Sequence, residues 1–135
     1  MRVVTCNGCF ETLHPGHLFF LGYCLSRGSD LVVGINSDEY IRRVKCREPV
    51  PEPVRVKALM DLGCVTDVVV YSEDDPCEFI QSVNPDVHCI GEEYRGMAPE
   101  LPLLESLSVE VVYVPRVGVW SSTAVRFAQT VSVGV

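Results

Sequence analysis

The stretch "MRVVTCNGCFETLHPGH", residues 1–17, decides how the chain must fold. It opens with a short apolar run, which predicts a buried strand, and an Asn-Gly pair ends that run. Pro15 and Gly16 suit the first turn of a helix, where a proline needs no N–H partner. His14 and His17 flank them at a spacing of three. We therefore predict a strand, a turn and a helix, with both imidazoles on one face of the first helical turn.

The rest of the chain repeats this alternation of strand and helix. The apolar runs are rich in β-branched residues and lack a strict inward–outward pattern, as expected when both faces of a sheet are covered. Gly28 is the expected end of the first helix. The further predicted strands are "DLVVGIN", "TDVVVY", "DVHCIG" and "VEVVYVP", and the predicted helices are "GHLFFLGYCLSRG", "SDEYIRRV", "PVRVKALMDLG", "DDPCEFIQSV", "LLESLS" and "SSTAVRFAQTV".

This pattern predicts a single α/β domain over residues 1–135. We expect a doubly wound, mostly parallel, five-stranded sheet with helices on both faces, which is a Rossmann-like arrangement. Ligands of such sheets bind beyond the carboxyl ends of the strands, where the strand order reverses. The segments that follow strands are therefore the ones that predict the site, and they are residues 7–17, 36–38, 91–94 and 116–123.

Composition excludes several classes of partner. The 135 residues are 47% hydrophobic and carry 11 basic against 18 acidic side chains, a formal net charge of −7. A chain this acidic repels polyanions, so we expect neither nucleic acid nor a membrane surface as a partner. No apolar run is long enough for a membrane helix, and we see no signal-peptide pattern. The seven cysteines are an odd, scattered set, which indicates reduced thiols and a cytoplasmic location.

The His-Pro-Gly-His segment fits three kinds of chemistry. Cys6, Cys9 and the histidines offer zinc ligands, but structural zinc needs four convergent ligands and no second cysteine pair is near. A redox Cys-x-x-C belongs at a helix start, whereas a longer loop intervenes here. A phosphate site explains more residues, because free N–H groups at a helix N-terminus and neighbouring imidazoles bind anionic oxygens. We favour phosphate, and a solvated or capping histidine pair remains the plain alternative.

Two motifs resemble a known family. "NGCFETLHPGH" resembles the G-x-F-D-x-x-H-x-G-H signature of the cytidylyltransferase-like nucleotidyltransferases, and "PRVGVWSST", residues 115–123, resembles their R-T-x-G-x-S-T-T element. The segments between the motifs are similar to the bacterial heptose-phosphate adenylyltransferase domain. The stretch around "VVYVPR" is similar to glycerol-3-phosphate cytidylyltransferases. The two motifs bracket nearly the whole chain.

The resemblance implies transfer of a nucleoside monophosphate from an NTP to a phosphorylated small molecule, with release of pyrophosphate. A sugar or polyol phosphate is the expected acceptor, and Mg²⁺ is expected to accompany the NTP. ATP is favoured, and a CTP-dependent enzyme that makes a CDP-alcohol is the alternative. The glutamates at 11, 92 and 93 stand where the family usually has aspartate. These changes keep a third hypothesis open, a nucleotide-binding module without turnover. The family often forms dimers, so a homodimer is also allowed.

The same resemblance implies roles for individual residues. His14 and His17 would bind the triphosphate, and Lys45, favoured over its arginine neighbours, would draw the two reacting phosphates together. Arg55 and Arg116 would neutralise phosphate charge, and Glu11 would contact the acceptor. The residues expected beside the nucleotide are Asn7, Gly8, Cys9, Phe10, Gly16, Arg55, Gly91, Glu93, Ser121, Ser122 and Thr123. No resident metal site is expected.

Overall fold

The computed structural model describes residues 1–116, and a five-stranded sheet lies at its centre. A 3-10 turn, Glu92–Tyr94, follows the fourth strand. The strands and α-helices are β1 (Val3–Gly8), α1 (Pro15–Leu25), β2 (Asp30–Asn36), α2 (Asp38–Lys45), α3 (Glu52–Met60), β3 (Asp67–Tyr71), α4 (Cys77–Val83), β4 (Val87–Gly91), α5 (Leu101–Ser106) and β5 (Glu110–Val114).

The strand order is β3-β2-β1-β4-β5, and every neighbouring pair is parallel. The chain winds outward from β1 to β3, returns to the other side of β1, and winds outward again to β5. This confirms the predicted doubly wound sheet. The ladder between β1 and β4 contains only two residue pairs, Val4 with Val87 and Thr5 with His88. The carboxyl halves of these two strands therefore separate, which opens the sheet where the strand order reverses.

Helices cover both faces of the sheet, as predicted. On one face, Leu21 and Cys24 of α1 and Leu59 of α3 pack against the strands. On the other face, Phe79 of α4 and Leu104 of α5 do the same. Strands β2, β3, β4 and β5 contribute side chains to both clusters, which explains why their sequences lack a strict inward–outward pattern. Burying each such large apolar side chain contributes about 1.5–3 kcal/mol.

Two glycines allow parts of the fold to approach closely. A Cβ at Gly34 would lie 2.7 Å from Cε2 of Phe79, so this glycine lets the ring rest directly on β2. A Cβ at Gly28 would lie 2.5 Å from the carbonyl oxygen of Arg2. The prediction that Gly28 ends the first helix is wrong, because α1 already ends at Leu25 and Ser26 is its cap. Gly28 serves instead as the close contact between the α1–β2 connection and the start of β1.

Three cysteines meet inside the cluster on the α1 face. Cys6 of β1, Cys24 of α1 and Cys89 of β4 are at most 2% exposed. Hydrogen bonding to Cys6 raises the pKa of the Cys24 thiol, and hydrogen bonding to Cys24 together with burial raises that of Cys89.

Within residues 1–116, no helix is long and apolar enough to cross a membrane.

Candidate active site

A cleft of about 490 Å³ lies beyond the carboxyl ends of the strands. Both sides of the reversal point contribute to it, since residues after β1 and residues after β4 line its wall. This is where a doubly wound sheet binds its ligand. Eight of the predicted site residues line the cleft: Asn7, Gly8, Cys9, Phe10, His17, Lys45, Gly91 and Glu93.

The other predicted residues fall into two groups. Five described residues do not line this cleft, namely Glu11, His14, Gly16, Arg55 and Arg116. Ser121, Ser122 and Thr123 lie outside the described residues, so their predicted role stays a prediction.

His14 and His17 meet at the start of α1. His14 is the N-cap residue, with extended backbone angles, and Pro15 occupies the first helical position. The Nδ1 atom of His14 accepts a hydrogen bond from the backbone N–H of His17 at 3.3 Å. The two rings stack with centroids 3.8 Å apart and an interplanar angle of 21°. The short helix-entry sequence thus brings both imidazoles to the helix N-terminus, where backbone dipoles favour an anion.

Burial favours the neutral form of both imidazoles, because it lowers the pKa of each ring. Burial, followed by the charge of His14, lowers the pKa of His17 to about 4. Burial also lowers the pKa of His14. The Nδ1 atom of His17 is buried and has no hydrogen-bond partner among residues 1–116. An unpaired polar atom on a cleft-lining ring is costly until a ligand satisfies it.

Phe10 joins the first motif to the histidines through a strained backbone. Its φ is +49°, in the left-handed region that non-glycine residues rarely adopt. The ring is buried and lies against His17, with centroids 5.2 Å apart. A Cβ at Gly8 would lie 3.0 Å from Cε2 of that ring. Strain of about 1–3 kcal/mol at one residue persists only where the surroundings impose it.

Arg55 imposes part of that geometry, and it does not face a phosphate as predicted. Its side chain is 0% exposed. Nε donates to the carbonyl of Val50 at 2.7 Å, and one terminal nitrogen donates to the carbonyls of Cys9 at 3.1 Å and Asn36 at 2.6 Å. The other terminal nitrogen pairs with Asp38 at 2.6 Å. A guanidinium enclosed in this way holds the ends of β1 and β2 together and is not available to a ligand.

Lys45 is a positively charged side chain of the cleft. It ends α2, is exposed, and lines the cleft. Within residues 1–116 it forms no ion pair, unlike its basic neighbours. A compact ammonium without a carboxylate partner can bind a phosphate without breaking an existing pair. The neighbouring pairs are Arg42 with Glu48, Arg43 with Glu39 and Asp74, and Arg47 with Glu11.

Glu11 has protein partners where an acceptor contact was expected. One carboxylate oxygen pairs with Arg47, and the other accepts the backbone N–H of Val50 at 3.0 Å. Hydrogen bonding to Arg47 is the main cause of its lowered pKa. Its side chain is 13% exposed. Glu11 therefore ties the segment before α1 to the proline-rich segment before α3.

The segment after β4 closes the cleft. A Cβ at Gly91 would lie 2.8 Å from Oε1 of Glu93, so the glycine lets that side chain fold back over the turn. Tyr94 is exposed and also lines the cleft. Arg116 follows β5, is exposed, and is the last described residue.

The sequence interpretation missed several cleft residues. Tyr71 ends β3, and its hydroxyl accepts a hydrogen bond from Nδ2 of Asn7 at 3.2 Å. The predicted residue Cys9 donates to Oδ1 of Asn36 at 3.2 Å, and Asn36 belongs to the segment 36–38 that the sequence indicated without assigning it a role. Each of these follows or ends a strand, so strand ends were the available signal. Glu100 also lines the cleft, from a loop whose sequence carries no such signal.

The zinc and redox interpretations gain no support. Cys6 points into the core with 0% exposure, whereas Cys9 lines the cleft, so the two thiols of the Cys-x-x-C face different surroundings. Within residues 1–116, no group of three or more histidine, cysteine or acidic side chains is arranged to hold a metal ion.

Comparison with known proteins agrees with this geometry. Residues 5–126 match the cytidylyltransferase-like family. The bifunctional protein HldE of Helicobacter pylori is 43% identical over 95 residues, which cover 69% of this chain and 20% of that protein. HldE of Hyphomonas neptunium is 34% identical over 128 residues, covering 93% of this chain and 26% of that protein. The chain thus spans about a fifth to a quarter of the length of these relatives.

Solved structures share the fold. A lipopolysaccharide core biosynthesis protein of Thermoplasma volcanium superposes with a TM-score of 0.68 at 25% identity, over 90% of this chain and 99% of that one. Pantoate-beta-alanine ligase of Francisella tularensis superposes with a TM-score of 0.64 at 14% identity, over 96% and 69% of the two chains, which shows the fold alone. The resemblance found in the motifs is confirmed. The chain belongs to the cytidylyltransferase-like family and is an enzyme of the nucleotidyltransferase class.

Proposed function

We propose that this enzyme transfers a nucleoside monophosphate from ATP to a phosphorylated sugar or polyol and releases pyrophosphate. The observation that carries the proposal is the stacked imidazole pair at the N-terminus of α1 together with the unpaired ammonium of Lys45. His17 and Lys45 line the same cleft, so it offers hydrogen-bond donors and a positive charge to a polyphosphate. The likeness to heptose-phosphate adenylyltransferases, with HldE among the relatives, supports ATP and a sugar phosphate.

The chemistry requires positioning more than covalent catalysis. An oxygen of the acceptor phosphate attacks the α-phosphorus of ATP, the bond to the β-phosphate oxygen breaks, and pyrophosphate leaves. The attacking oxygen is already anionic, so no general base is needed. His17, which lines the cleft, donates a hydrogen bond to a phosphate oxygen as charge moves onto the leaving group, and His14, stacked on it at the N-terminus of α1, helps to hold the triphosphate. Lys45 reduces the repulsion between the two anionic substrates.

Several expectations belong to the same proposal. Mg²⁺ would enter with ATP and would reduce the negative charge of the triphosphate. The remaining nucleotide contacts come from Ser121, Ser122 and Thr123, with Arg116 nearby in the sequence. A cytoplasmic location, a homodimer, and the absence of nucleic-acid and membrane partners are retained from the sequence.

The test combines binding with turnover. Thermal unfolding is followed with Mg²⁺ and ATP, CTP, GTP or UTP in turn, because a ligand of the folded state raises apparent stability. Pyrophosphate release is then measured with ATP and a panel of sugar and polyol phosphates. We expect the largest shift with ATP, and release that His17→Ala reduces about 100- to 1,000-fold, while Arg42→Ala leaves it unchanged. A larger shift with CTP indicates the CDP-alcohol alternative, and nucleotide binding without release indicates a module that has lost turnover.

A further inference from the structure

A chain of hydrogen bonds runs beneath the cleft on the α4/α5 face of the sheet. The hydroxyl of Thr5 lies 2.8 Å from Nδ1 of His88, and Nε2 of His88 lies 3.2 Å from Oε2 of Glu100. Thr5 and His88 are 0% exposed and Glu100 is 4% exposed. Burying three polar side chains in a core costs free energy unless all are hydrogen-bonded. The proposed function rests on His14, His17 and Lys45, and it assigns no role to these three residues.

Among residues 1–116, these hydrogen bonds give Thr5 and His88 their partners, and one oxygen of Glu100 is left without one. The hydroxyl of Thr5 also lies 3.4 Å from the carbonyl oxygen of Val87, and the two ring nitrogens of His88 connect Thr5 to Glu100. Within residues 1–116, the only hydrogen bond to the Glu100 carboxylate reaches Oε2. Glu100 lines the cleft, so its second oxygen, Oε1, is the part of the carboxylate left for a ligand. A nearly buried carboxylate with one oxygen unpaired is a strong acceptor for a ligand's donor.

The groups near Glu100 indicate what kind of ligand donates a hydrogen bond to its carboxylate. A carboxylate repels phosphate groups, so Glu100 does not face the reacting phosphates. Neutral polar groups line the same cleft, among them Asn7 and Tyr71, which are joined by a 3.2 Å hydrogen bond. The negative charge of Glu100 reaches Tyr71, where it is one of the smaller causes, after burial, of a pKa raised to about 12. Neutral donors and acceptors grouped around a carboxylate match a compound with several hydroxyl groups.

We propose that Glu100 is a specificity-determining residue that accepts a hydrogen bond from a hydroxyl group of the acceptor, with His88 and Thr5 as positioning residues. The inference rests on the proposed function, because it concerns the acceptor of that same reaction. It names the acceptor class by its chemistry, a phosphate ester that carries free hydroxyl groups. A donor on the nucleotide, such as the amine of the base, is the competing partner for the same oxygen.

The experiment separates these partners by the substrate whose KM changes. Glu100→Gln keeps the shape of the side chain and can still accept from His88, and Glu105→Gln, an exposed glutamate of α5, is the matched control. Pyrophosphate release is measured with ATP and glycerol 3-phosphate, glucose 1-phosphate or mannose 1-phosphate, and with deoxy analogues of the best of these. We expect Glu100→Gln to raise the KM for the acceptor by about 10- to 100-fold, as for a hydrogen bond to a charged group. The KM for ATP and the ATP-induced thermal shift stay within twofold, and Glu105→Gln changes neither.

Two further readouts distinguish recognition from a structural role. One deoxy analogue should lose the same factor with the wild-type enzyme, and Glu100→Gln should lose nothing more with that analogue, because the hydrogen bond is already absent. His88→Gln retains a donor toward Glu100 and should raise the acceptor KM by a smaller factor, again with the KM for ATP unchanged.

Each outcome decides the matter. If the wild-type enzyme releases pyrophosphate and Glu100→Gln leaves the acceptor KM unchanged, the assignment of Glu100 is overturned while the proposed function stands. An increase in the KM for ATP alone assigns Glu100 to the nucleotide and also overturns it. If the wild-type enzyme releases no pyrophosphate with any acceptor of the panel, the proposed function fails and this inference fails with it.

Discussion

Replacing Arg55 by methionine tests whether this side chain holds the fold together or holds a phosphate. Methionine keeps much of the apolar length but removes the donors to the carbonyls of Cys9, Asn36 and Val50 and the ion pair with Asp38. The carbonyls at the ends of β1 and β2 then lose a partner. The Cys9–Phe10 segment, with its strained backbone, loses the contact that holds it in place.

The size of the effect follows from burial. Removing one member of a buried ion pair costs about 3–5 kcal/mol, because the remaining charge is left uncompensated. The side chain of Asp38 is 21% exposed, so water recovers part of this loss. We therefore expect Arg55→Met to lower the free energy of unfolding by about 3 kcal/mol. A small domain has about 5–15 kcal/mol in total, so the variant should still fold.

Urea unfolding followed by circular dichroism measures this change as a shift in midpoint at constant slope. Arg42→Met is the matched control, because Arg42 is 54% exposed and its ion pair with Glu48 lies at the surface. It should leave the midpoint unchanged. An Arg55→Met enzyme with an unchanged midpoint and a raised KM for ATP alone would refute the reasoning, since that pattern belongs to a phosphate ligand.

Three further predictions concern packing, charge and protonation. Gly34→Ala places a Cβ 2.7 Å from an aromatic ring and should cost about 1–3 kcal/mol in urea unfolding, whereas Gly22→Ala, with nothing within 4 Å inside α1, should be neutral or stabilise by up to about 1 kcal/mol. Lys45→Ala should lower kcat/KM at least about tenfold while Arg42→Ala does not, and equal losses in both would show that the whole basic cluster acts together. The folded state holds the pKa of His17 near 4, below the ordinary 6.5, so the unfolded state takes up the proton first as the pH falls. The free energy of unfolding should therefore decrease by about 2 kcal/mol between pH 6.5 and 4, after allowance for partial exposure, and His17→Gln should reduce that slope in urea titrations at several pH values.

The alternation of strands and helices was readable because each element carries a local signal. Ser37 precedes α2, and its hydroxyl accepts the N–H of Tyr40 at 3.0 Å, which is the N-cap contact that serine favours. Pro15 opens α1 for the same kind of local reason. The parallel topology followed from apolar strands separated by helices. These signals depend on neighbours in sequence, so a single chain suffices to find them.

The sequence predicted the position of a cleft residue mainly where that residue follows a strand or begins a helix. Arg55 lies in a helix with a weak amphipathic pattern, and it is enclosed by groups that are distant in sequence, the carbonyls of Cys9 and Asn36. Glu11 is near the histidines in sequence, yet Arg47 and Val50, more than thirty residues away, take up its carboxylate. The family resemblance implied a phosphate contact for Arg55 and an acceptor contact for Glu11. Which charge is enclosed by protein depends on tertiary contacts that no local pattern contains.

The three cysteines in the core act as a reporter of opening. Cys6, Cys24 and Cys89 are enclosed between α1 and the sheet, and contact among them disfavours the thiolate that reacts with alkylating agents. Cys46, in contrast, is exposed. In the native protein, iodoacetamide should label Cys46 within minutes. It should label the three core thiols only after α1 separates from the sheet. Their labelling rate therefore measures how often the enzyme opens, in buffer without denaturant and with no engineered probe.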